Sequence, residues 1–212
     1  AANIAWLREH SAAHLHVDLI AGLPGEDMAG FADGFNRLVK LAPHEIQFGI
    51  LKRLRGAPID RHTKEYGLRF NPDPPYNILS TDAIDFATMQ RLSRFSRYWD
   101  IVANSGRYLR TLALVLDDSP FANFLGFSDW LYGKTGQTHA LAQERLVHLL
   151  HEHLCEIRRL PPEEVAEALI ADYHGTGGRS RLRFESGATT RVRPRKKDSG
   201  STPSRQARHL QS

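Results

Sequence analysis

His16-Val-Asp-Leu-Ile-Ala-Gly-Leu-Pro-Gly-Glu26 decides the fold. Val17, Leu19 and Ile20 supply a β-prone apolar run, so the stretch reads as a buried strand over 15–21. Gly22 and Gly25 carry no Cβ and let the chain turn sharply and approach a ligand closely. Pro24 stiffens the turn, and Glu26 and Asp27 suit the positive end of the helix that follows. Strand, glycine turn and helix in this order sit where α/β proteins bind ligands, at the carboxyl end of a strand.

On either side of this stretch the pattern alternates. Residues 3–13 read as a helix. Met28 to Leu41 reads as an amphipathic helix, with Phe31, Phe35, Leu38, Val39 and Ala42 on one face. Pro43 and His44 break it, and Glu45-Ile-Gln-Phe-Gly-Ile-Leu51 reads as a second strand. Strands alternating with helices imply a parallel sheet or barrel with right-handed crossovers. Only two such strands are present, and a complete eight-stranded barrel needs about 250 residues.

The style changes after Leu51. Lys52-Arg-Leu-Arg-Gly-Ala-Pro58 is a basic loop, 59–66 a short helix, and Asn71-Pro-Asp-Pro-Pro75 a rigid connector that no helix tolerates. A domain boundary is placed there. A short extended segment at 76–80 leads to a long helix capped by Thr81 or Asp82. Its buried stripe is Met89, Leu92, Phe95, Trp99 and Val102, and Ser105-Gly106 ends it. Helices are expected over 108–116, 120–132, 138–157 and 162–173. The fold class is α/β followed by mainly α. Residues 1–70 form two βα units of a partial barrel, 71–174 a helical domain, and 175–212 a basic tail.

Of 28 Lys and Arg, ten fall in 179–212, with two of the 24 acidic residues. The tail thus carries +8 of a net +4, and the remainder is acidic. Being poor in large apolar residues, the tail reads as disordered. It is either a solvated terminus or a patch for nucleic acid or an acidic partner. No apolar run is long enough to cross a bilayer. The single cysteine, Cys155, excludes an internal disulfide framework and suits a reducing cytoplasm. A chain opening on Ala1 is expected to start inside a larger gene product, removal of an initiator methionine being the alternative.

The ordered segments carry a resemblance. His16 to Glu26 resembles the strand and turn late in the barrel of radical S-adenosylmethionine enzymes, in the branch with coproporphyrinogen oxidase-like and cobalamin-binding members. Glu45 to Ile59 resembles the following strand and loop. Pro74-Pro-Tyr-Asn-Ile-Leu79, Asp85-Phe-Ala-Thr-Met-Gln-Arg91 and Tyr98-Trp-Asp100 through Gly106 resemble a helical domain without assigned function. In cobalamin-binding radical SAM proteins that domain lies C-terminal to the barrel. Arg205-Gln-Ala-Arg-His-Leu210 resembles the end of such proteins, whereas 175–203 matches least.

The resemblance implies that Asp18, Ile20, Gly22, Leu23, Pro24, Gly25 and Glu26 contribute to an S-adenosylmethionine pocket. The alternative is a turn whose glycines serve chain reversal only. Gln47 and Gly49 would line the same cavity. Lys52, Arg53 and Arg55 either meet a carboxylate or phosphate of a small-molecule substrate or form a solvated basic loop. The family's four-iron–four-sulfur cluster needs a Cys-x-x-x-Cys-x-x-Cys motif, which a chain with one cysteine lacks. Cluster and cobalamin are therefore expected only in a full-length protein, held by a missing N-terminal part of the same polypeptide. Without that part the chain would not be active, and which residues are catalytic stays open. The competing expectation is a non-catalytic helical module whose basic tail docks nucleic acid or an acidic partner.

Two clusters rank lower. His148, His151 and Cys155 share a helix face, but a structural zinc site wants a fourth ligand. An exposed polar face is favoured, and no metal site is expected. Arg91, Arg94 and Arg97 form either a nucleic-acid face or a solvated one paired with Asp85 or Asp100.

Overall fold

The computed structural model describes residues 2–185. Strand β1 (His16–Ala21) passes through the glycine turn into helix α2 (Met28–Leu41), preceded by α1 (Ala2–His10). Asp27 caps α2, its Oδ1 accepting from Gly30 N at 2.8 Å. The helix ends where Ala42 takes a left-handed conformation (φ 46°), its N–H on Val39 O. Pro43 follows, and strand β2 (Glu45–Ile50) runs parallel to β1 in the register Asp18↔Gln47 and Ile20↔Gly49. The α/β opening expected from the sequence is therefore present.

The chain then becomes mainly helical. A two-residue strand, β3 (Arg69–Phe70), pairs antiparallel with β4 (Ile78–Ser80). Helices α3 (Phe86–Val102), α4 (Leu109–Leu116), α5 (Pro120–Thr135), α6 (Gln143–Glu152) and α7 (Pro162–Gly175) follow.

How α3 meets β2 sets the architecture. Glu45 N donates to Leu15 O and Leu51 N to Ala21 O, so the odd-numbered residues of β2 turn their backbone toward β1. The even-numbered carbonyls point to the opposite edge, and α3 with the loop after it satisfies them there. Trp99 Nε1 and Asn104 Nδ2 both donate to Ile46 O, at 2.8 and 3.0 Å, and Ser96 Oγ donates to Phe48 O at 2.6 Å. Farther along, Ile78 N donates to Leu51 O at 2.8 Å, and a bridge joins Lys52 to Asn77. The outer edge of β2 is thus capped at the Ile46, Phe48 and Leu51 carbonyls. Among the described residues, no strand lies against the outer edge of β1.

The core is one aromatic cluster shared by the sheet and the helices. Phe35 of α2 meets the Trp99 ring of α3 at 4.8 Å and the Phe121 ring of α5 at 5.7 Å; Phe95 meets Phe48 at 5.0 Å and Phe124 at 4.8 Å. All these rings are buried, and edge-on and tilted contacts of this kind add to what area burial alone contributes. The core therefore runs without interruption from residues before the proline-rich connector to residues after it.

Several local expectations are corrected. Helix α1 stops at His10 rather than 13, because the Ser11 hydroxyl and the His10 ring cap the Leu7 and Trp6 carbonyls. The short helix at 59–66 is a 3-10 turn over Pro58–His62. Neither Thr81 nor Asp82 caps the long helix. Thr81 Oγ1 is taken by the Ala83 and Ile84 amides in a local turn, and the cap passes to Asp85, whose Oδ1 accepts from Thr88 N at 2.7 Å. Helix 138–157 begins only at Gln143, after Ala140 turns left-handed (φ 57°), and widens into a π turn over His153–Ile157. The start of the basic tail is folded onto the helices. Leu182 is buried, Glu185 Oε2 accepts from Leu182 N at 3.1 Å, and Phe184 stacks on His151 at 4.1 Å. The rest of the tail, 186–212, lies outside the described residues.

Candidate active-site face

The two-stranded sheet has two unlike faces. Val17, Leu19 and Ala21 pair across the register with Ile46, Phe48 and Ile50, and all of these but Val17 join the core shared with the helices. The other carries His16 with Glu45, Asp18 with Gln47, and Ile20 with Gly49. Asp18, Ile20 and Gln47 are exposed on it. Parallel sheets are ordinarily covered on both faces. The structure therefore brings together, on one bare face, the strand residues singled out in the sequence: Asp18, Ile20, Gln47 and Gly49.

At the carboxyl end of that face lies the turn. Gly22 (φ 90°) and Gly25 (φ 78°) both adopt backbone conformations that favour glycine. The space beside each belongs to the protein itself. A Cβ on Gly22 would lie 2.7 Å from Ile78 Cγ2 and 3.2 Å from Met89 Cε; one on Gly25 would lie 3.2 Å from Tyr66 Cε1. These glycines admit neighbouring side chains, and Ile78 and Tyr66 are partners that the local sequence does not reveal. Leu23 is exposed and Pro24 half-buried, while Glu26 N closes the turn on Leu23 O at 3.2 Å. The Glu26 carboxyl is pushed above its ordinary value by burial and by Asp27 beside it. Its Oε2 is buried with no hydrogen-bond partner.

The loop after β2 reaches the same end, because the strands are parallel. Lys52, Arg53 and Arg55 are exposed there, with no carboxylate among the described residues in ion-pair reach. Arg53 lies over the Phe70 ring at 5.8 Å. Leu54 and Tyr76 are also exposed beside this loop, and Arg53 N donates to Tyr76 O at 3.0 Å. This end therefore combines exposed apolar groups, cations and an unpartnered carboxyl oxygen.

The lower-ranked clusters resolve differently. His148 and His151 sit under Phe184, and burial lowers both imidazoles while raising the Cys155 thiol, which lies 3.7 Å from His151 Nε2. They are a half-buried packing face rather than an exposed polar one. Among the described residues, no group of three or more His, Cys, Asp or Glu is placed to hold a metal ion. Arg91 pairs with neither Asp85 nor Asp100: its Nε and Nη2 both donate to Asp129 Oδ2, at 2.9 and 2.7 Å, across to α5. No described helix is long and apolar enough to cross a membrane.

A family of proteins of unknown function, DUF4080, matches residues 64–198, well over half of the chain. The chain belongs to that family. The matched span of this DUF4080 protein opens just before the β3–β4 hairpin and takes in α3 to α7. Strands β1 and β2, with the turn and the bare face, precede it. No curated protein matches the DUF4080 chain.

Proposed function

We propose that this chain is the closing part of an open radical S-adenosylmethionine barrel of the cobalamin-binding type, with β2 as its last strand and the DUF4080 helices as the cover of the substrate side. The observation that carries the reading is the asymmetry of the sheet. Its β2 edge is capped by Ser96, Trp99 and Asn104, its β1 edge is unpaired by any described strand, and its more exposed face bears Asp18, Ile20, Gln47 and Gly49. Further strands adding to β1 would turn that face inward, as barrel interiors require.

The donor set suits a nucleoside-bearing cofactor. Asp18 and Gln47 offer an acceptor and an amide to ribose hydroxyls or base edges. Ile20 and Leu23, each 39% exposed, offer apolar contact for a ring. Glu26 offers an unpartnered carboxyl oxygen. Because Ile78 and Tyr66 fill the spaces beside Gly22 and Gly25, the ligand would meet the outer side of the turn, from Leu23 to Glu26. When bound, S-adenosylmethionine supplies the adenosyl group for radical generation. The residues present do not fit the iron–sulfur cluster, since one cysteine cannot supply three thiolates. The reading therefore requires the cluster and cobalamin to be held by another part of a longer polypeptide.

The test is reductive cleavage of S-adenosylmethionine to 5′-deoxyadenosine by the complete, anaerobically reconstituted protein. Asp18→Ala and Gln47→Ala, both on the exposed face, are expected to lower cleavage about tenfold or more at unchanged iron content. A reconstituted protein that holds no cluster and produces no 5′-deoxyadenosine would overturn the reading.

A further inference from the structure

A second candidate site lies on the DUF4080 part. A cleft of about 450 Å³ opens between the β3–β4 hairpin, one side of α3 and the loop after α5. That volume is within the range of small-molecule sites. Its walls include Asn77, Gln90, Arg94, Arg97 and His139, and no carboxylate among the described residues.

The two arginines are one helical turn apart and share a face of α3. They differ from Arg91, whose Nε and Nη2 both donate to Asp129 Oδ2. Asp129 Oδ1 is 4.0 Å from Arg94, too far for a hydrogen bond, and the Arg94 guanidinium is steadied instead over the Tyr132 ring at 4.5 Å. Arg97 forms no ion pair with a described residue. Arg94 Nε and Asn77 Oδ1 are both buried without hydrogen-bond partners. Two guanidinium groups thus face one small concavity with their donors largely unspent. Two cations on one concavity favour an anion, and Arg forks match the oxygens of a phosphoryl group.

We propose that this cleft binds the phosphoryl group of a small organic phosphate, with Arg94 and Arg97 as its ligands. A nucleic-acid strand suits the site less, because a backbone track would have to continue onto Arg91, whose charge is neutralised by Asp129.

The test is calorimetric titration of inorganic pyrophosphate into the full 212-residue chain at low ionic strength. Arg97→Gln is exposed and should fold, as circular dichroism will verify. His139→Ala provides a second variant in the cleft wall. Arg37→Gln, on α2 and paired with Asp33, makes the same charge change elsewhere. The expected result is saturable binding that Arg97→Gln weakens about tenfold or more, that His139→Ala weakens measurably, and that Arg37→Gln changes less than about threefold. Absence of saturable binding would overturn the proposal. So would equal weakening by Arg97→Gln and Arg37→Gln, or binding that neither cleft variant changes, as expected if the basic tail captures the anion.

Discussion

The indole N–H of Trp99 donates to the main-chain carbonyl of Ile46 at 2.8 Å, so a helix side chain occupies the place where a neighbouring strand would bond. Asn104 shares that carbonyl and Ser96 takes the next one along the edge. An unpaired strand edge invites uncontrolled association. Here α3 closes one edge with side chains while its apolar stripe packs in the aromatic core. Removing both donors to Ile46 O in Trp99→Phe/Asn104→Ala leaves a buried carbonyl without a partner. That carbonyl alone should cost about 1–3 kcal/mol, beyond any packing loss from the smaller side chains. Urea unfolding measures it, and a loss below about 0.5 kcal/mol would mean that the edge is not sealed in this way.

Gly22 is constrained by a neighbour as well as by its backbone. Gly22→Ala forces a Cβ to 2.7 Å from Ile78 Cγ2 at φ 90°. Gly56→Ala meets a similar φ of 81° with open space around it. The Gly56 variant should lose about 1 kcal/mol from conformation alone, and the Gly22 variant about 1–3 kcal/mol more from overpacking. Ile78→Ala in the Gly22→Ala background should recover part of that excess. Equal losses at the two glycines in thermal denaturation would remove the packing explanation.

Asp172 of α7 caps a helix that lacks a cap of its own. Its carboxylate accepts from Thr111 N at 2.9 Å, Thr111 Oγ1 at 2.8 Å and Arg110 N at 3.3 Å, all in the first turn of α4. Asp172→Ala should destabilise the protein by about 2 kcal/mol or more, because it strands buried donors as well as removing the cap. Asp172→Asn, which keeps an acceptor oxygen, should lose less. Similar losses for the two variants would argue against capping.

Acid should destabilise the fold through His153. The ring is buried between Phe127 and Trp130, and burial, helped by Arg158, pushes its pKa down to about 4 from 6.5. Between those values the unfolded chain takes up a proton that the folded protein refuses. The stabilisation is therefore complete above about pH 6.5 and fades as pH falls toward 4, by up to about 3 kcal/mol. Burial lowers His148 and His151 as well, in the same direction. His153→Phe should flatten the pH dependence of denaturant stability across this window, and an unchanged slope would refute the assignment.

Periodic burial made much of this fold legible in the sequence. The strand–turn–helix–strand opening and the stripe Met89, Leu92, Phe95, Trp99 and Val102 appear as read, because a sheet face and a helix stripe leave regular spacings. What escaped depends on partners far along the chain. Ser96 and Asn104 look like solvent-facing polar residues until β2 lies beside them, 48 and 58 residues distant. Arg91 finds Asp129 rather than its own helix's acids. The glycines of the turn read as admitting a ligand, and the fold shows the Ile78 and Tyr66 side chains beside them instead. The exposed face is legible in part: Asp18 and Gln47 read as lining one cavity, and the parallel register makes them cross-strand neighbours.

The central claim is that this sheet extends across β1 and terminates at β2, and amide hydrogen exchange tests it most directly. In the 212-residue chain alone, the Val17 and Leu19 amides, bonded to β2, should be protected, while those of Asp18 and Ile20 exchange freely. In the complete polypeptide proposed here, Asp18 and Ile20 should gain protection and the β2 amides Ile46 and Phe48 should change little. Protection gained at Ile46 and Phe48 instead, or none gained at Asp18 and Ile20, would contradict the account.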